Sequence, residues 1–249
     1  MDDEVYEKVE AAEETLWFYV GRRRIIQNLV QHYVGALAAK HLDVGCGAGN
    51  MLQALRQHSR FSVGVDSAYK ALQLSKKDGV HIVAQADALS LCFPDHTFDF
   101  VTVLDVLEHC EDDLLSLAEV YRVLKPGGIV VLTVPALSIL WSALDRTAHH
   151  YRRYTASELR KKAQQSDFVV LKVSYANFFL FPFVFIGRML ERLLDISLGL
   201  DFNIPSAFVN RLLTGVFSRE AGWIMRRTFP VGSSVVAVLQ KPASGKGIV

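Results

Sequence analysis

Short apolar runs alternate with amphipathic stretches from about residue 41 to residue 135. Runs rich in Val, Ile, Leu and Phe predict strands at residues 40–45, 61–66, 81–87, 98–106 and 128–135. Between them, apolar residues at helical spacing predict helices at residues 50–57, 68–77 and 112–124. This alternation is typical of βαβ units in a parallel sheet, and strands that are apolar on both sides indicate a sheet covered on both faces.

The second half of the chain continues the α/β pattern. Thr155 and Glu158 have the spacing of a capping box and predict a helix that begins there and ends near residue 166. Two further apolar runs predict strands at residues 168–176 and 233–241. The residues between them, about 177–228, predict apolar helices and are interpreted as an insertion.

Composition narrows the class of protein. A length of 249 residues with 51% hydrophobic and 21% charged residues predicts one globular domain, and a net charge of +1 argues against a nucleic-acid partner. Cys46, Cys92 and Cys110 lack CxxC spacing, which favours a reducing compartment. The acidic N-terminal segment lacks the apolar core of a signal peptide, so we expect a cytoplasmic protein. The uncharged run at residues 173–187 is too short for a transmembrane segment, and Pro182 interrupts it.

A glycine-rich turn follows the first predicted strand. Gly45, Gly47 and Gly49 would let the backbone turn sharply and approach a ligand closely. The spacing is GxGxG, whereas the dinucleotide fingerprint is GxGxxG. Asp43 would also place negative charge beside a pyrophosphate, so a nicotinamide-dependent oxidoreductase is only an alternative.

Two more acids close the next two strands. Asp66 is placed to accept hydrogen bonds from a ribose diol, and Asp87 to accept one from the exocyclic amine of adenine. A lone aspartate at a strand end is more often a helix cap or a turn residue. Together with Asp43 and the glycine turn, these acids favour an adenosyl-ligand site.

These residues belong to five segments, LDVGCGAG, VGVD, QADA, FDFVTVLDVLEH and RVLKPGG, whose order resembles that of the class I S-adenosylmethionine-dependent methyltransferases. The resemblance implies a doubly wound, Rossmann-like sheet of seven mostly parallel strands, with the last strand antiparallel. It implies S-adenosyl-L-methionine as cofactor and S-adenosyl-L-homocysteine as product. It further implies cofactor contacts from Asp43, Gly45, Gly47 and Gly49 to the methionine moiety, Asp66 to the ribose, Asp87 and Ala88 to adenine, and Leu104 or Asp105 to the amino group.

The same resemblance divides the single expected domain, residues 1–249, into three parts. These are an N-terminal helical lid at 1–38, a cofactor-binding core at 39–136, and a substrate-side half at 137–249 that contains the insertion. More narrowly, ETLWFYVGRR at residues 14–23 and HHYRRYT at 149–155 resemble a bacterial branch with a WWF-RR helix and an HxRRYT segment. Thr15 and Leu16 depart from that pattern, because His and Trp would stand there.

The loop after the fourth strand holds the candidate catalytic residues. Methyl transfer requires chiefly alignment of the acceptor and exclusion of water, and a base is needed only for a protonated acceptor. His109 is the candidate base, oriented by Glu108; the alternative is that both residues only shape the loop. A further alternative is a divalent metal held by Asp105, Glu108, His109 and His150.

The stretch AHHYRRYT follows the fifth strand and should emerge at the cofactor edge of the sheet. We expect a small-molecule acceptor to contact five residues, Trp17, Tyr19, His150, Arg152 and Tyr154. His149 and Arg153 are expected to form a solvated rim.

The insertion is interpreted as a cap over a hydrophobic, lipid-like acceptor. From Phe183 to Ser197, apolar residues recur at helical spacing, with charged residues of both signs on the other face. Ordinary helix packing is the favoured explanation of this stripe, and a peripheral membrane contact is the alternative. A non-catalytic protein that binds the cofactor also stays open as an alternative.

Overall fold

The computed structural model of the chain describes residues 9–35, 38–77, 82–194 and 205–243. Parts of the predicted lid (residues 1–8 and 36–37), residue 81 of the predicted third strand, residues 195–204 of the predicted insertion and residues 244–249 lie outside the described residues. The helices are α1 (Trp17–Tyr33), α2 (Asn50–Leu55), α3 (Tyr69–Lys77), α4 (Asp113–Val123), α5 (Ala143–Thr147), α6 (Ala156–Gln165), α7 (Phe181–Leu194) and α8 (Ala207–Arg226). The strands are β1 (Ala38–Val44), β2 (Ser59–Asp66), β3 (Ile82–Gln85), β4 (Phe98–Leu104), β5 (Leu124–Pro135), β6 (Val169–Ala176) and β7 (Ser234–Gln240).

The strands form one seven-stranded sheet in the order β3-β2-β1-β4-β5-β7-β6. Strands β1 to β5 pair in parallel, whereas β7 is antiparallel to both β5 and β6. This is the expected doubly wound, Rossmann-like sheet of seven mostly parallel strands with the last strand antiparallel, and that prediction is confirmed. Because β1, β2, β3 and β4 run in the same direction, the residues that follow them meet at one edge of the sheet.

Helices cover both faces of the sheet. On one face, the strands pack against Leu117 and Val120 of α4 and Leu159 of α6. On the other face, they pack against Ile26 of α1 and Ile224 of α8. Burial on both faces explains why the strands are continuous apolar runs in the sequence.

The insertion contributes two helices with different environments. Helix α8 packs along α1 and buries Phe217, Ala221 and Ile224. No side chain of α7, whose residues are all described, is buried. Ordinary packing of the α7 stripe, favoured from the sequence, therefore does not account for its apolar residues. Among the described residues, no helix combines the length and the apolarity that a membrane span requires.

The packing of α1 on α8 depends on Gly21. A Cβ at Gly21 would come 2.3 Å from Cδ1 of Phe217, well inside van der Waals contact. We expect Gly21→Ala to lower the free energy of unfolding by about 1–3 kcal/mol, because overpacking outweighs the helix propensity of alanine. Denaturant unfolding measures the effect.

Gly222 provides the matched control for that measurement. It lies in the same α8 helix, and a Cβ there would meet nothing within 4 Å. Gly222→Ala should therefore raise stability by roughly 0.5–1 kcal/mol. Equal effects of the two substitutions would contradict the close approach of α1 to α8.

Candidate cofactor and acceptor site

The glycine-rich turn joins β1 to α2 in a conformation that depends on glycine. Gly45 and Gly47 have φ of 71° and 53°, and Gly49, the N-cap of α2, has φ of 88°. A Cβ at Gly45 would also come 2.3 Å from Cγ2 of Val106 in the loop after β4. The turn thus places backbone without side chains at the carboxyl edge of the sheet, where a ligand can approach it closely.

Asp43, near the end of β1, is a buried carboxylate with one unsatisfied oxygen. Its Oδ1 accepts a hydrogen bond of 2.5 Å from the Thr102 hydroxyl, while its Oδ2 has no hydrogen-bond partner among the described residues. Burial raises the pKa of Asp43 to about 7, although the Thr102 hydroxyl opposes that shift. A buried acceptor of this kind fits a cationic donor such as the cofactor's ammonium group.

Asp66 and Asp87 lie at the same edge. The Asp66 carboxylate accepts hydrogen bonds from the N–H groups of Gly47 and Ala68, at 3.0 and 2.9 Å. It therefore braces the glycine turn as well as lining the cavity beside it. Asp87 and Ala88 line the same cavity, and the Asp87 carboxylate accepts from the N–H of Leu89 at 2.9 Å. Their placement fits the adenosine contacts that the resemblance implies.

The end of β4 carries an ion pair that the sequence did not indicate. Leu104 and Asp105 both line the cavity, and Asp105 has φ of 55°. The Asp105 carboxylate pairs with the guanidinium of Arg22 in α1 and also accepts from the Thr133 hydroxyl at 2.9 Å. Asp105 is expected to contact the amino group of the cofactor, and its ion pair with Arg22 also connects α1 to the carboxyl edge of the sheet.

One cavity of about 1220 Å³ connects these elements. Trp17 and Tyr19 of α1 line it, as expected, together with side chains of the insertion such as Phe183, Val184 and Leu213. The insertion therefore forms part of the cavity wall. A volume of this size exceeds that of typical small-ligand sites and leaves room for an acceptor beside the cofactor.

Two imidazoles and a carboxylate meet on the acceptor side of the cavity. The rings of His109 and His150 are in edge-to-face contact, with centroids 4.5 Å apart. Burial and the neighbouring His150 lower the pKa of His109 to about 4, so that its imidazole is neutral near pH 7. Glu108 is 1% exposed, and burial raises the pKa of its carboxyl well above the usual value.

Asp145 in α5 holds this cluster in place, a role not anticipated from the sequence. Its carboxylate accepts from Nδ1 of His150 at 2.8 Å and, through both oxygens, from the guanidinium of Arg153 at 2.8 Å. Although burial opposes ionisation, these hydrogen bonds lower the pKa of Asp145. Because Nδ1 of His150 is bonded to this carboxylate, the imidazole is fixed in orientation.

The roles expected within AHHYRRYT need correction. Tyr154 is 2% exposed and its hydroxyl donates to the Asp113 carboxylate at 2.8 Å, so it lies in the core and does not face the acceptor. Arg152 contacts the Glu111 carbonyl and Asp113, and does not line the cavity. Conversely, Arg153, expected at the rim, is a nearly buried cavity residue. His150 and His149 both line the cavity.

The backbone of the segment explains this distribution. Residues 136 and 154 form a parallel bridge, with hydrogen bonds from Tyr154 N–H to the Pro135 carbonyl and from Leu137 N–H to the Tyr154 carbonyl. The bridge extends the sheet locally and turns the tyrosine side chain toward α4. His149 has φ of 56°, which breaks any regular alternation before the bridge.

Comparisons with known proteins agree with this fold. A family model described as a methyltransferase domain matches residues 42–132. A ubiquinone biosynthesis O-methyltransferase of Pseudomonas fluorescens is 34% identical over 41% of this chain and 47% of that protein. A demethylmenaquinone methyltransferase of Staphylococcus haemolyticus is 36% identical over 38% of this chain and 43% of that protein. The matched part thus spans about half the length of these relatives.

A solved structure supports the fold. Phosphoethanolamine N-methyltransferase 2 of Haemonchus contortus, in complex with S-adenosyl-L-methionine, is 20% identical, with a TM-score of 0.57 over 87% of this chain and 52% of that chain. Together these findings show that residues 42–132 match a methyltransferase domain, and that the chain shares the fold of a methyltransferase solved with S-adenosyl-L-methionine. They favour a methyltransferase over the oxidoreductase alternative.

The corrected position of Tyr154 gives a prediction. Tyr154→Phe removes the hydroxyl that donates to buried Asp113, and should lower the free energy of unfolding by about 1–3 kcal/mol. Because the residue does not line the cavity, affinity for S-adenosylhomocysteine should stay within about twofold. Denaturant unfolding and calorimetry measure the two quantities. Weaker binding of S-adenosylhomocysteine with an unchanged free energy of unfolding would show instead that Tyr154 contacts the ligand.

Proposed function

We propose that the chain transfers a methyl group from S-adenosyl-L-methionine to a hydroxyl of a small, apolar acceptor. The observation that carries this proposal is the pair of imidazoles, His109 and His150, on the wall of the same cavity as the glycine turn and Asp66. A neutral imidazole near a reacting hydroxyl can remove its proton as oxygen attacks carbon. When bound, the cofactor's sulfonium supplies the electrophilic methyl group.

His109 is the proposed base because it is neutral and reaches the cavity directly. Its lowered pKa keeps it in the proton-accepting form over the whole range near neutral pH. Glu108, buried beside it, and His150, in ring contact with it, restrict the position of the imidazole. Asp145 and Arg153 in turn fix His150. The position of His109 is thus restricted by neighbours that have fixed positions themselves, which favours alignment of the imidazole with the acceptor hydroxyl.

The acceptor is proposed to be quinol-like or otherwise lipid-like. Apolar side chains of the insertion form part of the cavity wall, including Leu180, Phe183, Val184 and Leu213. The relatives named above act, by their names, in ubiquinone biosynthesis and on demethylmenaquinone. A cytoplasmic enzyme with such an acceptor would work at a membrane surface as a peripheral protein.

His109→Ala tests the base. We expect turnover to fall by about a hundredfold or more, the usual scale for a lost general base, while S-adenosylhomocysteine affinity stays within about twofold. Turnover is measured as transfer of labelled methyl from S-adenosylmethionine to a panel of hydroquinones and phenols. Arg152→Gln is the control, because Arg152 lies in the same region but does not line the cavity. Unchanged turnover of His109→Ala would eliminate the base.

The same assay tests the function itself. Transfer to at least one hydroxyl acceptor supports the proposal. Tight binding of S-adenosylhomocysteine with no transfer to any acceptor would instead favour the non-catalytic alternative.

A second candidate, metal-assisted transfer, has one specific observation in its favour. Ligand atoms of Glu108, His109 and His150 all lie within 4.8 Å of one another. A carboxylate and two imidazoles match the ligands of Zn²⁺ or Mn²⁺. Asp105, also expected from the sequence, is not part of this group and is paired with Arg22. A metal there would act as a Lewis acid on the acceptor oxygen.

Chelation separates the two candidates. If a metal is required, EDTA should abolish transfer and Zn²⁺, Mn²⁺ or Mg²⁺ should restore it. With His109 as a metal-independent base, transfer should be unaffected by EDTA. The cavity keeps its S-adenosylhomocysteine affinity in both cases, which serves as the control for intact protein.

A further inference from the structure

The outer surface of the insertion exposes large apolar side chains. On α7, Phe183, Ile186, Leu190, Leu193 and Leu194 form a single stripe and are 42–79% exposed. On α8, the side chains of Phe208 and Leu212 are 78% and 57% exposed, next to Val209. Isolated exposed apolar residues are ordinary, but a whole helical stripe turned outward indicates a surface that contacts something else. These residues are called the apolar surface below.

The charge on the same two helices has one sign. Every exposed charged side chain in the described residues of the insertion is an arginine, namely Arg192, Arg211, Arg219, Arg226 and Arg227. The two acids among those residues are neutralised or buried, since Glu191 pairs with Arg188 at 2.8 Å and Glu220 is 0% exposed. Asp195 and Asp201 lie outside the described residues.

The apolar surface is next to the acceptor cavity. Phe183 belongs to both, because it is 73% exposed and also lines the cavity. Arg188 of α7 and Leu213 of α8 line the cavity from the same two helices. The apolar surface is therefore continuous with the cavity wall at Phe183. An apolar molecule bound at the surface has a path into the cavity that does not cross bulk water.

We infer that the apolar surface and its arginines dock the protein on a bilayer that contains anionic lipid, with the acceptor cavity opening toward the membrane. On α8, Arg211 and Arg219 lie on the same face as the exposed side chains of Phe208 and Leu212. A helix with this arrangement binds such a bilayer by burying the apolar side chains and pairing the arginines with lipid phosphates. The choice of a bilayer as the occupant rests on the proposed function, because a lipid-like acceptor resides there.

Vesicle co-sedimentation of the full-length protein tests the inference. One set of vesicles contains phosphatidylcholine alone. The other contains phosphatidylcholine with about a third phosphatidylglycerol, an anionic lipid that attracts basic residues near the membrane surface. We expect binding to the anionic vesicles, weaker binding to the neutral ones, and loss of the difference at high salt because salt screens the charges.

Three variants locate the surface. Leu193→Glu with Phe208→Glu should lower the vesicle partition coefficient about tenfold or more, since both residues are nearly fully exposed and their replacement spares the fold. Arg211→Gln with Arg219→Gln, at two exposed positions on the same face of α8 as Phe208, should lower binding to anionic vesicles by about tenfold and leave binding to neutral ones unchanged. Ile82→Glu is the matched control, because Ile82 is 57% exposed on β3 at the opposite edge of the sheet.

The outcomes separate docking from catalysis. Calorimetry with S-adenosylhomocysteine and transfer to a water-soluble phenol test the proposed function without vesicles. Normal transfer with no vesicle binding would overturn the docking surface alone. Vesicle binding that is equal in all variants would overturn it as well. A dimer in sedimentation velocity that Leu193→Glu converts to monomer, with no vesicle binding, would assign the surface to a second copy.

Discussion

The ion pair between Arg22 and Asp105 is the contact on which the site depends. The Arg22 side chain is only 13% exposed, and a buried guanidinium requires an opposite charge to offset its desolvation. Asp105 supplies that charge from the end of β4, and the rings of Phe18 and Tyr19 lie 5.9 and 5.1 Å from the guanidinium. Since Arg22 belongs to α1, the pair fixes the N-terminal helix over the carboxyl edge of the sheet. The pair therefore joins two parts of the cavity wall, because Arg22 and Asp105 both line the cavity.

Asp145 holds side chains in place on the acceptor side of the cavity, as Asp105 holds Arg22 on the side of the N-terminal helix. It is 0% exposed and binds Arg153 and His150, as well as the N–H and hydroxyl of Ser142. A carboxylate with this many donors is held in one position, and so are the groups that donate to it. The two aspartates therefore set the geometry of the cavity from opposite sides, while the glycine turn and Asp66 set it from the sheet.

Regular elements were predictable because each leaves a period in the sequence. The seven strands and the helices that alternate with them follow from apolar runs and helical spacing, and Thr155 does cap α6 through Glu158. The glycine turn and Asp66 were also predictable, since strand ends in a parallel sheet share one edge. Irregular segments carry no such period. Tyr154 was misplaced because its partner, Asp113, lies 41 residues away in the chain, and nothing local to AHHYRRYT indicates that contact.

An amphipathic pattern predicts that a helix has an apolar face, but it does not predict whether that face packs in the core or is exposed. Helix α7 is an example. Its stripe was visible in the sequence, but only the structure shows that the stripe faces outward. The position of the insertion follows from topology. Strand β7 is antiparallel to both β5 and β6, so β6 ends, and β7 begins, at the carboxyl edge of the parallel strands. Any chain inserted between them must emerge where the glycine turn and the two imidazoles lie. A lengthened connection at that point adds a cap and an outer surface next to the cavity, while the pairing of the sheet is left intact.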